Sequence, residues 1–361
     1  MPVETVAVPV THPYRVFIGA SIDLAEIFSS SLEPGLCAIF TDSSVGSLHA
    51  ARVQGALERA GWRVAGTIEV PSGESSKSME AYAGALGRLA RLGLTRDGTI
   101  FALGGGVVGD LGGFVAGTYM RGIDLVMLPT SLLAMVDSAV GGKVGVDLPE
   151  GKNLVGAFVR PRLVAADLDW LATLPEREIS NGLAETIKMG LLSGGDFFGD
   201  LGLLGAARTG DLDALQTLVL DSVSFKARVV AEDELEGGLR AILNYGHTIG
   251  HALEAAADYS LPHGSAVSAG MLAAATLARD RFGRDLTGAH ADLIDAAGLP
   301  RSVPGIDVER ALVAMGRDKK RTSTDGPAGY RFVLLEDIGR PVTGVPVTEE
   351  EAREAIGALL A

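Results

Sequence analysis

The sequence predicts an α/β N-terminal domain followed by a mainly α-helical C-terminal domain. The chain has 361 residues, which at roughly 100–200 residues per domain suggests two domains. Its first half alternates short β-branched runs with longer helical stretches. From Glu176 to about Arg317 it is rich in Ala and Leu, with apolar residues at helical spacing. We therefore place one domain at residues 1–170 and the other at 171–361.

Strands and helices alternate along the first half. The predicted strands are Leu36–Thr41, Arg63–Val70, Gly98–Leu103, Leu125–Leu128 and Leu163–Ala166. The predicted helices are His49–Ala60, which ends at Gly61, and Met79–Leu92. This alternation implies a parallel sheet that is covered on both faces and binds ligands at the carboxyl ends of its strands.

The last part of the chain departs from the helical pattern. Tyr330–Leu335 is predicted as an isolated strand. Thr348 and Glu351 have the spacing of a capping box, which predicts a final helix.

The composition excludes several classes of protein. A formal charge of −14 argues against nucleic-acid and anionic-membrane partners, because both require a basic surface. The single Cys37 excludes an intramolecular disulfide framework and favours a reducing compartment. No signal peptide is visible, and Leu125–Val136 is too short to span a membrane. We expect a cytoplasmic globular protein.

A glycine-rich segment, 104–110, follows a predicted strand and opens a helical stretch. Its glycines would let backbone N–H groups approach a phosphate at a helix N-terminus. The spacing fits G-x-G-x-x-G, but the segment follows the third predicted strand rather than the first. A tight strand-to-helix turn is an equally good interpretation of this motif alone. The charged loop 71–77 follows another predicted strand, Arg63–Val70.

Residues 137–153 combine charged side chains with many glycines. Lysines in such an otherwise apolar neighbourhood could hold phosphate or carboxylate groups. The alternative interpretation is a pair of lysines on an exposed loop. The polar residues concerned are Asp137, Lys143, Lys152 and Asn153.

Three of the six histidines fall within 17 positions. His247 and His251 are four residues apart on one face of a predicted helix, and a short turn could return His263 to that face. With a carboxylate they would suit Zn²⁺ with an open coordination position. Thr248 excludes the H-E-x-x-H protease motif. The spacing leaves the carboxylate ligand open between Glu185, Glu254 and another residue.

Charged residues near this cluster predict an inward-facing site. Glu185 and Lys188 are three residues apart, a spacing that usually marks a surface ion pair. Their neighbours 182–187 are mostly apolar, however, which favours an interior position. Further cationic and amide groups follow at Lys226, Arg240 and Asn244, and such a set could collect a small anion.

Taken together, these segments resemble the sugar-phosphate cyclases, and most closely the dehydroquinate synthase family. The resemblance runs from about Leu36 to Ile338. The segments that carry it are GGGVVGDLGGFVAGTYMRG (104–122), LPTSLLAMVDSAVGGKVGVDLPEGKNLVGAF (128–158), NGLAETIKMGL (181–191), EGGLRAILNYGHTIGHALE (236–254), LPHGSAVSAGM (261–271) and DKK (318–320).

The resemblance implies a Rossmann-like nucleotide-binding domain and a helical metal- and substrate-binding domain. It implies Zn²⁺ or Co²⁺ on Glu185, His247 and His263. It implies NAD at the carboxyl ends of the first domain's strands. The positions that match its NAD-binding residues are Asp42, Glu74, Lys77, Gly105, Gly106, Val107, Asp110, Thr130, Ser131, Lys152, Thr173 and Glu178.

Further positions match the substrate-binding residues of the family. His251 matches a substrate or proton-relay residue, and Arg121 matches a phosphate contact that reaches across a homodimer interface. The remaining matches are Asp137, Lys143, Asn153, Lys188, Lys226, Arg240, Asn244 and one DKK lysine, Lys319 or Lys320.

The resemblance implies a carbon–oxygen lyase of the shikimate pathway. Such enzymes convert 3-deoxy-D-arabino-heptulosonate 7-phosphate to 3-dehydroquinate and phosphate. NAD⁺ removes a hydride from a metal-bound hydroxyl carbon, the ketone promotes loss of phosphate, the hydride returns, and an aldol step closes the ring. The substrate would be a small sugar-acid phosphate, with neither nucleic acid nor membrane as partner.

Some positions depart from the family pattern. The first thirty residues match poorly, and Met189, Tyr245 and Ser265 differ from the usual residues. These departures leave open a sibling cyclase of the amino-dehydroquinate or 2-deoxy-scyllo-inosose type, although Asn244 and His251 favour a substrate with a carboxylate. A metal-dependent polyol dehydrogenase is a further alternative, against which the many anion-binding side chains argue.

Overall fold

The computed structural model of the chain describes residues 1–194, 201–316 and 329–360. The chain divides into two compact units by its internal contacts. Unit 1 comprises Met1–Leu174 and Leu215–Leu235, and unit 2 comprises Pro175–Ala214 and Glu236–Ala361. A helical segment from the second half of the sequence therefore packs with the first.

Unit 1 is built on a seven-stranded sheet. Its strands are β1 (Glu4–Val8), β2 (Tyr14–Gly19), β3 (Leu36–Asp42), β4 (Arg63–Val70), β5 (Thr99–Gly104), β6 (Asp124–Pro129) and β9 (Leu163–Asp167). They are ordered β1-β2-β9-β6-β5-β3-β4, and every neighbouring pair except β1–β2 is parallel. Every residue of β5 and β9 is buried, as expected for parallel strands covered on both faces. The predicted α/β class of this half is confirmed.

Four helices lie between the strands of unit 1, and short polar side chains cap the first three of them. They are α1 (Leu24–Ser31), α2 (Ser43–Arg59), α3 (Met79–Arg91) and α4 (Gly106–Thr118). Asp42 Oδ1 accepts hydrogen bonds from the backbone N–H groups of Ser44 and Val45, at 2.9 and 3.0 Å. This cap starts α2 at Ser43, so the predicted start at His49 was wrong.

Two strands of unit 1 and a separate hairpin were absent from the sequence prediction. β1 and β2 pair antiparallel at one edge of the sheet. A second antiparallel pair consists of β7 (Lys143–Leu148) and β8 (Gly151–Phe158). The glycine-rich segment 143–158 therefore forms a β-hairpin.

Glycines on α4 allow the helix to pack closely against its neighbours. A Cβ atom at Gly113 would overlap the side chain of Val144 in β7, and one at Gly112 would lie 2.8 Å from Phe40 in β3. A Cβ at Gly109 would meet only Met127, at an ordinary distance of 3.7 Å. Close packing on one face of α4 thus depends on particular glycines.

Unit 2 is mainly helical, as predicted. Its helices are α5 (Glu176–Ser193), α6 (Leu201–Arg208), α8 (His247–Ala256), α9 (His263–Phe282), α10 (Thr287–Ala296), α11 (Val308–Gly316) and α12 (Glu349–Gly357), and α7 (Leu212–Glu232) begins in unit 2 and continues in unit 1. None of the helices in the described ranges is both long and apolar enough to cross a membrane.

The end of unit 2 contains a hairpin and a capped helix. β10 (Tyr330–Asp337) pairs antiparallel with β11 (Arg340–Val347), so the prediction of an isolated strand was wrong. Gly339, with φ of 77°, lies in the tight turn between them. The predicted capping box is confirmed, because Thr348 and Glu351 cap each other at the start of α12.

We predict opposite effects of alanine at two glycines of α4. Gly113→Ala should lower the free energy of unfolding by about 1–3 kcal/mol, because the added methyl group overpacks the contact with Val144. Gly109→Ala should raise it by up to about 1 kcal/mol, because alanine favours the helix and has room there. Urea unfolding of both variants checks this, and equal shifts in the two would contradict the close packing.

Candidate functional site

The sheet of unit 1 changes its winding direction between β3 and β5. From β3 the chain passes to β4 on one side, and then returns to β5 and β6 on the other. Asp42 ends β3, Gly104 ends β5, and Thr130 follows β6, so all three lie at the carboxyl edge. Ligands of open α/β sheets bind at such a point.

The N-terminus of α4 opens at this edge without a side-chain cap. Its N-cap residue is Gly105, and no side chain bonds to the first turn. A Cβ at Gly105 or Gly106 would lie 3.4 and 3.3 Å from the hydroxyls of Ser131 and Ser138. The glycines therefore keep the first N–H groups approachable, which suits the pyrophosphate of a dinucleotide.

A buried lysine lies at the same end of the unit. Lys77 is 5% exposed, and its Nζ lies 2.6 Å from Asp110 Oδ2 and 2.5 Å from Asn153 Oδ1. Burial lowers the pKa of Lys77, but the Asp110 carboxylate outweighs that effect and raises it, which keeps the ammonium charged. Lys152 and Glu74 form a more exposed pair at 3.4 Å.

The remaining predicted nucleotide residues are more dispersed. Thr173 Oγ1 donates a hydrogen bond to the carbonyl of Trp170 and lies 3.2 Å from His49 Nε2. Val107 lies in the first turn of α4. Glu178 belongs to α5 in unit 2 and pairs with Asn181 there.

Two of the predicted substrate residues meet inside unit 1. Lys226 is 5% exposed, and its Nζ donates to both the carbonyl oxygen and Oδ1 of Asp137, each at 2.6 Å. Residues separated by 89 positions are thus held as one charged pair. Lys143, at the start of β7, has an exposed side chain instead.

Close contact between α8 and α9 brings two histidines together in unit 2. Gly246 has φ of 77°, and a Cβ there would lie 2.6 Å from Met271 Cγ in α9. Gly250 of α8 likewise faces the backbone of Ala266, and a Cβ there would lie 3.1 Å from its oxygen. The helices approach closely at these glycines, with His247 at the start of α8 and His263 at the start of α9.

Both imidazoles face one carboxylate oxygen of α5. His247 Nε2 lies 3.3 Å and His263 Nε2 lies 3.4 Å from Glu185 Oε1. Two ligands bonded to one tetrahedral Zn²⁺ stand about 3.4 Å apart, since each bond is about 2.1 Å long. These three residues have the donor types and the spacing of a zinc or cobalt site.

The other nitrogen of each imidazole contacts an oxygen that orients the ring. His247 Nδ1 lies 3.0 Å from the carbonyl oxygen of Tyr245, and His263 Nδ1 lies 3.4 Å from Glu254 Oε2. A proton on each Nδ1 leaves Nε2 with its lone pair directed towards Glu185. Of the carboxylates that the spacing left open, Glu185 thus faces the Nε2 atoms of both histidines, and Glu254 orients the ring of His263.

Glu185 is fully buried, so that a negative charge on its carboxylate requires positive charge nearby. Neither of its oxygens has a partner in hydrogen-bond geometry among the described residues, although Lys188 Nζ contacts Oε2. Burial alone would raise the pKa of Glu185, but Lys188 and His247 hold it well below its ordinary value. An ionised, buried carboxylate with incompletely satisfied oxygens fits a metal ligand.

The pKa values of the two imidazoles shift in opposite directions. Burial and the neighbouring Lys188 lower the pKa of His247, which favours the neutral, metal-binding form. Burial also disfavours charge on His263, but Glu185 and Glu254 together raise its pKa to about 10. The two carboxylates thus favour positive charge at this position, which a proton on Nε2 supplies in the metal-free protein and a divalent cation would supply in its place.

Of the other predicted substrate residues of unit 2, Lys188 and His251 lie against this group. Arg240 is 2% exposed and Lys188 is 1% exposed. The ring of His251 lies 5.1 Å from that of His247, and His251, Glu254 and His263 form a second group with metal-binding spacing. Asn244 lies beside Glu236, at 3.5 Å. Lys319 and Lys320 lie outside the described residues.

Arg121 occupies an unusual turn in unit 1. It follows α4, and both Met120 and Arg121 have positive φ angles, 53° and 69°. Such a backbone is costly for residues other than glycine and is found more often at functional positions than elsewhere.

Sequence reasoning missed several supporting residues. It considered Glu254 only as a metal ligand, and it overlooked the Tyr245 carbonyl that orients His247. It also overlooked Asn181, whose Oδ1 accepts a hydrogen bond from Gly264 N beside His263. The i, i+3 spacing of His251 and Glu254 places them on one helix face, a signal that could have found Glu254.

Comparison with known proteins gives matches over most of the chain. A curated 3-dehydroquinate synthase of Acidithiobacillus ferrooxidans is 44% identical over 336 residues, which are 92% of this chain and 91% of the relative. A crystal structure of 2-deoxy-scyllo-inosose synthase with carbaglucose-6-phosphate, NAD⁺ and Co²⁺ superposes with a TM-score of 0.89 at 29% identity, covering 99% and 100% of the chains.

A third match comes from a related enzyme. The 2-epi-5-epi-valiolone synthase of Streptomyces hygroscopicus, with NAD⁺ and Zn²⁺ bound, superposes with a TM-score of 0.84 at 26% identity, covering 96% of both chains. The predicted resemblance to sugar-phosphate cyclases and the predicted fold class are confirmed.

Residues 67–181 match the family described as 3-dehydroquinate synthase N-terminal, and residues 182–321 match its C-terminal counterpart. With both family regions adjacent and in order, the chain belongs to the 3-dehydroquinate synthase family.

Proposed function

We propose that this chain converts 3-deoxy-D-arabino-heptulosonate 7-phosphate to 3-dehydroquinate and phosphate, with NAD and Zn²⁺ or Co²⁺ as cofactors. The observation that carries the proposal is the buried group of Glu185, His247 and His263 in a chain of this family. The reaction is a step of the shikimate pathway and breaks a carbon–oxygen bond to phosphate.

The metal set fits the proposed chemistry. Three protein ligands leave a coordination position for the substrate, as in catalytic rather than structural zinc sites. When bound, the ion lowers the pKa of a substrate hydroxyl, and NAD⁺ accepts the hydride from that carbon and later returns it. The hydride balance closes within each cycle, so that no net oxidation occurs.

Buried cations could hold a substrate that carries both a carboxylate and a phosphate. Lys188, Lys226 and Arg240 are each 5% exposed or less in a chain of formal charge −14. The planar guanidinium of Arg240 suits a bidentate contact with the substrate carboxylate, whereas the lysines suit phosphate oxygens. Such contacts orient the substrate for the elimination and the ring closure.

The nucleotide set of unit 1 completes the proposal. The uncapped N-terminus of α4 would bind the pyrophosphate, and Asp42 lies at the neighbouring strand end, where it could accept from a ribose hydroxyl. Lys77 of this set contacts Asn153, which matches the substrate-binding residues, beside Asp110 at this end of the unit. We assign His251, one helical turn from His247, to the movement of a proton at the substrate.

The decisive assay separates this function from its alternatives. Incubation with the heptulosonate phosphate, NAD⁺ and Zn²⁺ should release inorganic phosphate without accumulation of NADH. Stoichiometric NADH without phosphate would instead indicate a dehydrogenase. Phosphate release from glucose 6-phosphate, but not from the heptulosonate, would indicate a 2-deoxy-scyllo-inosose type of cyclase.

We further propose that the chain acts as a homodimer in the cytoplasm. Large apolar side chains are exposed near the strained turn and on β8, namely Met120, Leu154 and Phe158, each at least 40% exposed. Arg121 in that turn is proposed to contact the substrate phosphate bound by a second copy. The single buried Cys37 supports a reducing compartment.

We predict that His263→Ala removes a metal ligand. The dissociation constant for Zn²⁺ should rise at least about 100-fold, since loss even of a residue that orients a ligand costs roughly 10–100-fold. Competition with a chromophoric chelator measures this, and turnover should fall in parallel. His12→Ala is the matched control, because His12 is exposed and lies in unit 1. Equal Zn²⁺ affinity of the two variants would exclude His263 as a ligand.

We predict complementation between two inactive variants. Arg121→Ala and His263→Ala should each lack activity, because one loses the phosphate contact and the other loses the metal. After subunit exchange, hybrid dimers should regain activity, since one site per dimer would then combine an intact metal set with an intact Arg121. Phosphate release from the mixture checks this. No recovery, with hybrids demonstrated by mass spectrometry, would exclude an Arg121 that acts across subunits.

A further inference from the structure

The hairpin of β7 and β8 contains one strained residue among those assigned to ligand binding. Asn153 near the start of β8 has φ of +57°, in the left-handed region, and its side chain is exposed. Asparagine tolerates this region better than most residues, but the conformation still requires support from its surroundings.

Asp147 near the end of β7 provides that support. Its Oδ1 accepts a hydrogen bond of 2.7 Å from the backbone N–H of Asn153. The bond closes the turn over six residues and fixes the peptide unit that carries the left-handed φ angle. The carboxylate is half-buried, which strengthens a hydrogen bond to it relative to one in water.

The backbone of Asp147 holds a second segment. Its N–H donates a hydrogen bond of 2.8 Å to the carbonyl oxygen of Lys77, and Ser78 forms a parallel bridge with Asp147. Asp147 therefore holds in place both the backbone at Lys77 and the turn that contains Asn153. These two segments meet again at their side chains, where Lys77 Nζ lies 2.5 Å from Asn153 Oδ1.

These contacts connect Asp147, Asn153 and Lys77 in a closed ring. Asp147 joins the two backbones, and Lys77 and Asn153 join the two side chains, with Asp110 2.6 Å from the lysine. Displacement of Asn153 would therefore also displace the partner of the buried ammonium. A lysine that is 5% exposed has little freedom to follow such a movement.

We propose that Asp147 is a positioning residue that holds Asn153 and Lys77 in the arrangement required for binding of the nicotinamide dinucleotide. The inference rests on the proposed function, which assigns Lys77 and Asn153 to ligand binding. Asp147 acts through an acceptor oxygen at a fixed place rather than through its charge. An asparagine at this position can therefore perform the same role.

Two variants of Asp147 separate geometry from charge. Asp147→Asn keeps an acceptor oxygen and removes the charge, whereas Asp147→Leu keeps the size and removes the acceptor. The dissociation constant for NAD⁺, measured by calorimetry on the full chain, should stay within about threefold of the parent value in Asp147→Asn. In Asp147→Leu it should rise at least about tenfold, as expected when a backbone N–H that fixes the turn is left without its acceptor.

Hydrogen exchange gives a readout that needs no cofactor. The Asn153 amide should be protected in the parent and in Asp147→Asn, and should exchange at least about tenfold faster in Asp147→Leu. Thermal unfolding of each variant shows whether the remainder of the chain is intact. Asp147→Ala takes the place of Asp147→Leu if the leucine variant does not fold.

The outcomes distinguish this inference from the proposed function. Parent-like NAD⁺ affinity in Asp147→Leu would overturn the positioning role and leave the proposed function standing. Equal loss in Asp147→Asn and Asp147→Leu would also overturn it, because charge rather than acceptor geometry would then decide. A parent protein that binds no NAD⁺ would overturn the proposed function and with it the role proposed for Asp147.

Discussion

A carboxylate buried without sufficient protein partners is the constraint on which the rest of unit 2 depends. Glu185 is fully buried in α5, and Lys188 and two imidazoles surround it. An isolated charge in such a place would be costly, so the environment must supply positive charge. The close packing of α8 on α9, which Gly246 permits, places the histidines where a divalent cation can complete this balance.

Unit 1 forms its candidate ligand-binding surface mainly from backbone groups. Its ligand-binding edge is formed by strand ends and by a helix that begins at Gly105 without a polar cap, so that backbone N–H groups provide the binding surface. Charged residues are then fixed in pairs, such as Lys226 with Asp137 and Lys77 with Asp110. Each pair holds its side chains at fixed positions near the ligand-binding edge through charge-assisted hydrogen bonds.

The sequence predicted what is local and missed what depends on distant partners. Strands such as Arg63–Val70 were predicted to the residue, because β-branched residues between turn residues are a local signal. The hairpin β7–β8 was missed, since its glycines resemble a loop until its two strands pair. In the metal group, the four-residue spacing of His247 and His251 was visible. The choice of Glu185 over Glu254 depended on which imidazole nitrogen each carboxylate faces.

The path of the chain has a consequence for attempts to dissect the protein. Because Leu215–Leu235 returns to unit 1, the polypeptide passes between the units three times, at 174/175, 214/215 and 235/236. A gene fragment that stops after Leu174 would lack this segment and expose the apolar surface that Val219 and Val223 normally cover. Neither half is therefore a good candidate for separate expression, and a circular permutation would be a safer way to relocate the termini.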